Sequence, residues 1–244
     1  MNAKLLTFLF SLTFLFLLIG SVNGKEPEVK RDYWDNGKLK SEIHYKNGKK
    51  EGLETKWYKS GKKEIETQYK DGEKDGLVTW WYRNGKKVSE TPYINGKEHG
   101  FAASWYISGE KRQDINYKDG QLKGTQTWWY KSGKKDEERH YSKGIENGLR
   151  VKWFENGKKD METYYENGKE NGLRTEWRWD NGKKHMQGYF KDGNLDGSYA
   201  DWHSNGFKDN EGQYKDGKED GLWIIWSKDG NTKSEKYYKD GKEQ

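Results

Sequence analysis

Five histidines, at positions 44, 99, 140, 185 and 203, and forty acidic residues are the side chains of this sequence suited to metal or acid–base chemistry. A zinc or hydrolytic centre needs several such groups to converge. The histidines recur at no common spacing, and there is no cysteine to join them. Acidic turns such as Asp71-Gly72-Glu73 and Asp216-Gly217-Lys218-Glu219-Asp220 suggest calcium, but they lack the alternating acidic spacing of a calcium loop and place lysine beside the acid. No pair of carboxylates stands out for glycoside hydrolysis. The sequence therefore predicts a non-enzymatic protein with no catalytic residue, no metal site and no cofactor.

The aromatics are better placed to act. Trp57, Trp81, Trp105, Trp129, Trp153, Trp177, Trp202 and Trp226 each stand five residues after a glycine. A second series comprises Tyr45, Tyr69, Tyr93, Tyr117, Tyr141, Tyr165, Phe190, Tyr214 and Tyr238. The tryptophans are expected to form the structural core of the repeat. Tyr58, Tyr82, Tyr106 and Tyr130 directly follow four of them, so strand alternation would put these rings on the opposite face. There they would make an exposed ladder able to stack sugar rings or quaternary ammonium groups. The competing and preferred reading is structural, with the rings covering the sheet as cross-strand pairs.

The elements that position these rings follow from the glycines. Gly52, Gly61 and Gly72 are repeated as Gly76, Gly85 and Gly96, and onward to Gly221, Gly230 and Gly241, with a period of 24 residues. One unit carries an extra residue within Arg178-Trp179-Asp180. Leu53-Glu54-Thr55-Lys56-Trp57 and Ile65-Glu66-Thr67-Gln68-Tyr69 alternate with the period of half-buried strands, and glycine-bearing turns separate them. Each unit reads as a β-hairpin, and stacked hairpins give an all-β, elongated array in a single twisted meander sheet. The first glycine of each unit is expected to let a neighbouring ring lie against bare backbone. The chain divides into a signal peptide (1–24), a short N-terminal segment (25–32), a partial repeat (33–51) and eight repeats (52–244).

The signal peptide is read from Lys4, the apolar or hydroxylic run Leu5–Ile19, and the small residues Val22 and Gly24, which place cleavage before Lys25. Without a cysteine the chain has no site for lipoprotein acylation. It is expected to be secreted, periplasmic or at the cell surface, with no membrane contact beyond the signal peptide. The net charge of +6 is the small difference of 46 basic and 40 acidic residues. Signs alternate over short stretches, which predicts a solvating coat and no nucleic-acid partner.

The unit G-L-x-T-x-W-Y-x-x-G-K-K, ending Y-K-D-G-K-x-D-G, resembles the MORN repeat and more closely its bacterial variant, from Tyr33 to Gln244. YwqK-family antitoxins carry the same variant. The resemblance implies an array of hairpins, a protein-interaction or scaffold role, and a toxin as one kind of partner. A rival expectation is a cell-envelope carbohydrate-binding module that holds cell-wall polysaccharide on the tyrosine ladder. A third is binding of anionic lipid head groups by the lysines after each turn glycine.

Overall fold

Asp71 and Gly72 both have positive φ, 51° and 93°, and join two strands whose last residues, Lys70 and Glu73, pair directly. This is the two-residue hairpin turn whose twist matches that of its strands, and the short Asp or Asn side chain tolerates the left-handed backbone. The same turn recurs at the end of every repeat from Asn47-Gly48 to Asp240-Gly241. Lys143 is the sole residue other than Asn or Asp in its first position.

The computed structural model describes residues 26–244. The expected signal peptide lies outside the described residues. The chain runs as β1 (Glu28–Tyr33), β2 (Leu39–Lys46), β3 (Lys49–Trp57), β4 (Lys63–Lys70), β5 (Glu73–Trp81) and β6 (Lys87–Ile94), and the alternation continues to the C-terminus. All segments join one antiparallel sheet, and each strand pairs with the one before and the one after it along the chain, the latter interrupted in places by a bulge, as where β6 pairs with both Lys97–Glu98 and Gly100–Trp105; the sheet is an open meander. The sheet begins at Glu28, inside the stretch expected as an N-terminal segment. Glu28–Tyr33 stands one repeat before Gly52–Trp57, with Tyr33 in the tryptophan position and no leading glycine.

Two irregularities recur. Within a hairpin the register slips at the tryptophan: Lys56 faces Ile65, but Trp57 faces Lys63. Between hairpins it slips at the first glycine, with Thr67 opposite Val78 but Tyr69 opposite Lys74. Gly76, at φ 117°, occupies that bulge. A Cβ there would stand 2.7 Å from Cγ of Gln68. The bare backbone thus admits a side chain of the preceding strand: Gln68 at Gly76, and a ring residue at Gly148, Gly172 and Gly197, where His140, Tyr164 and Tyr189 lie against it.

First turns are stacked by side chains. Asn84 caps its own turn by accepting from the Lys86 amide and donates through Nδ2 to the Ile107 carbonyl, 3.1 Å away, in the next repeat. Asn156 and Asn181 do the same. The extra residue of the sixth repeat is taken up in the turn, where Gly182 donates to the Arg178 carbonyl and Arg178 to that of Lys183. Met186 then faces Asp201 as Ile65 faces Trp80, so the sheet keeps its phase.

Candidate binding surfaces

Register assigns the side chains to two faces. On the first lie Thr55, Thr79, Thr127, Val151 and Thr175, all buried, and their partners such as Glu66 and Glu90. Lys63 Nζ bonds the Glu66 carboxylate at 2.8 Å and lies 5.6 Å from the Trp81 ring centroid, which puts the tryptophan on this face too. The arrangement recurs as Lys111, Asp114 and Trp129, and as Lys135, Glu138 and Trp153. In these units each ring is held by a cation from the preceding unit, itself fixed by a carboxylate three residues on, and at Trp202 the amide of Gln187 takes the place of the carboxylate beside Lys184.

Trp57, Trp81, Trp105, Trp129, Trp153, Trp177, Trp202 and Trp226 are all half-buried. The deepest apolar side chains are instead Val78, Ala102, Val151, Met161 and Trp223. A bulge at the tryptophans from Trp57 to Trp202 carries them to the end of their strands beside the turn, and from Trp81 onward a lysine lies over each ring.

Tyr58, Tyr82, Tyr106 and Tyr130 are half-buried rather than an exposed ladder. Each hydroxyl donates to the carbonyl of the next repeat's tryptophan: Trp81, Trp105, Trp129 and Trp153, at 2.7 to 2.9 Å. Trp34 Nε1 and Arg178 Nη2 make the corresponding bonds to Trp57 and Trp202. Phe154 stands in the same series with no group to donate.

The second face differs from unit to unit. From the fourth to the sixth repeat it holds a charge network in which Glu137 accepts from Arg139 and Arg150, and Glu170 from Arg174. Burial pushes the Glu137 carboxyl up, but the two guanidiniums together hold it below the usual carboxylate range. Nearer the C-terminus Tyr199, Tyr214, Trp223 and Tyr238 pack at centroid distances of 5.2 to 6.2 Å. A Cβ on Gly212 would come within 2.3 Å of the Trp223 ring, so this glycine is what lets the indole lie flat on the sheet. Gly188 and Gly212 stand in a series that elsewhere holds a side chain, as at Ile43, Thr67, Thr91, Ile115, Arg139 and Thr163, a signal of the cluster that periodicity alone passes over.

The exposed aromatics that pair with leucine lie on the first face. Leu149 pairs with Tyr164, Leu173 with Tyr189 and Leu222 with Tyr237, and these six are 38% to 56% exposed. In the intervening unit Ser198 and Gln213 take the same two places. The missing bulk leaves a groove of about 590 Å³, bounded by Leu173, Tyr189, Leu222 and Ile224. Among the described residues, no cluster of three or more His, Asp or Glu is arranged to hold a metal ion.

The MORN repeat variant family matches residues 29–47, 50–71, 74–95, 122–143 and 219–240. No curated protein matches the chain. Repeats of this kind generally mediate protein or membrane interactions. With five matched segments in one meander, and the same strands, turns and inter-repeat contacts in the units between them, the chain is a MORN-repeat protein.

Proposed function

We propose that the protein is an exported interaction module that docks a protein partner on the first face of its C-terminal half. The observation that carries this reading is the row of exposed pairs Leu149–Tyr164, Leu173–Tyr189 and Leu222–Tyr237 around the groove at Ser198 and Gln213. Contiguous exposed apolar surface of this kind is a mark of interaction sites, and tyrosine supplies contact area at low entropic cost. Nearer the N-terminus the leucine positions hold Leu53, Leu77 and Phe101, but Gln68, Pro92 and Asn116 face them where the tyrosines stand, so the leucine–tyrosine pairs belong to one end of the array. A toxin is one candidate partner, given the resemblance to YwqK-family antitoxins.

The test is capture of a partner from the native cell envelope by the wild-type protein and by the double variant Leu173→Asp, Leu222→Asp. The reading expects loss of the partner in the variant, with an unchanged melting midpoint, and retention by Leu53→Asp, Leu77→Asp. Retention by both variants rejects the surface. Export is checked separately: the mature protein should begin at or near Lys25, and recovery of Met1 from the membrane fraction would replace export by anchoring.

A further inference from the structure

The first turns form one long border of the sheet, and its charge is not balanced. Segments 59–63, 83–87, 107–111 and 131–135 hold ten Lys or Arg and a single acid, Glu110. Lys63, Lys87, Lys111 and Lys135 are compensated by the carboxylates of Glu66, Glu90, Asp114 and Glu138. Lys62 and Lys86 donate instead to neutral carbonyls, those of Asn84 and Ser108 in the following turns. Lys134 lies along the next turn in the same way, against Gly157. Arg83 and Lys131 reach over the rings of Tyr58 and Tyr106. Lys59 is paired with Asp35, so half of these ten cations have a carboxylate partner, and Lys62, Arg83, Lys86, Lys131 and Lys134 remain as the cations of this border without one.

A shallow cleft lies between neighbouring turns at two places four repeats apart. One is lined by Lys86, Lys87, Trp105 and the turn Ser108-Gly109-Glu110, with a volume of about 570 Å³. Another, of about 380 Å³, is lined by Lys183, Lys184, Trp202 and the turn Asn205-Gly206-Phe207. They occupy the same repeat positions, and each combines an indole wall with two ammonium groups.

We propose that this border binds a linear polysaccharide bearing carboxylates, of the uronic-acid type. The C–H face of a pyranose ring packs on the part of the half-buried tryptophan that its covering lysine leaves open, and the carboxylate on the same sugar meets the other lysine, Lys86 or Lys183, whose ammonium bonds a backbone carbonyl and no carboxylate. Turns two strands apart recur every ~10 Å, about the length of two linked sugars, so every second sugar along one chain comes level with a turn. A neutral glucan leaves the lysines unused, and a polyphosphate leaves the indole unused. The site is separate from the apolar row that carries the protein-binding reading.

The test measures binding of oligogalacturonate to the purified protein by titration calorimetry and tryptophan emission, at low and moderate salt. The proposal expects binding that changes the emission and weakens with salt. It also expects the triple variant Lys62→Gln, Lys86→Gln, Lys134→Gln to bind about tenfold more weakly with an unchanged melting midpoint. Comparison arms use cello-oligosaccharide, polyphosphate of equal length and phosphatidylglycerol vesicles. Absence of oligogalacturonate binding overturns the proposal, as does cello-oligosaccharide binding of equal strength. Equal affinity for polyphosphate with no emission change also overturns it and leaves only non-specific charge. Vesicle binding without oligogalacturonate binding reassigns the border to a membrane. None of these outcomes affects the Leu173 and Leu222 variants, so the two readings fail separately.

Discussion

The hydroxyl of Tyr106 donates a hydrogen bond of 2.7 Å to the backbone carbonyl of Trp129, one repeat further along the sheet. Tyr106→Phe should therefore lower stability by about 1 kcal/mol, the usual net value of such a bond. Phe154 occupies the same position one unit beyond Tyr130, and Phe154→Tyr should gain a similar amount by reaching the Trp177 carbonyl. Urea midpoints decide both. A Tyr106→Phe protein as stable as wild type would remove the tyrosine series from the inter-repeat contacts.

Lys143 adopts φ 51° in a turn position that every other repeat gives to Asn or Asp. A longer side chain pays a steric cost in the left-handed region that Asn and Asp partly escape through local hydrogen bonding. Lys143→Asn should stabilise the protein by roughly 0.5 to 1 kcal/mol, and Asn95→Lys should cost about as much. An unchanged thermal midpoint in both would mean that the turn residue is immaterial.

Thr163 is fully buried, and its hydroxyl oxygen has no hydrogen-bond partner. Valine has nearly the same shape and nothing to desolvate. Thr163→Val should raise stability by about 1 kcal/mol. A loss measured in a urea titration would reveal a partner for that hydroxyl.

Burial, followed by the nearby Asp136 carboxylate, pushes the Tyr130 phenol up to about 12. Tyr69, Tyr93, Tyr117 and Tyr214 are raised as well, with burial the leading cause in each. A group whose folded-state pKa is raised contributes its full stability below the unfolded value and loses it as pH climbs toward the folded one. Stability should thus be insensitive to these phenols below pH ~10 and fall above it. Tyr130→Phe should make that decline shallower. Unfolding free energies at pH 9, 10 and 11 check the sign, and a rise with pH would contradict it.

The hairpins, turns and period were legible because each rests on a local rule: alternating side chains, positive φ at Gly, short polar residues beside it. Orientation at the strand ends was not. Simple alternation carried through Lys56, Trp57 and Tyr58 puts Tyr58 on the open face, but the slip at Trp57 sends the tyrosine into the turn, where its hydroxyl finds the next repeat. A one-residue slip reverses every such assignment, and nothing in the composition of Trp57-Tyr58 announces it. The exposed Tyr164 and Tyr189 lie mid-strand, beyond the reach of that slip, and alternation from their neighbours would have found them. Trp223 was hidden for the opposite reason. Its place depends on Gly212 across the strand, a long-range pairing that a 24-residue period cannot express.

The turn from Arg178 to Lys183 absorbs an additional residue while the strands on either side stay in phase, and the Asn181 and Lys183 side chains still reach the following turn. A change in length at a first turn is thereby insulated from the sheet. For evolution this makes the border a place where segments can be gained, lost or exchanged without relearning the fold. For engineering it marks Trp179-Asp180 as a natural socket for a grafted peptide, displayed in line with its neighbours at a fixed pitch.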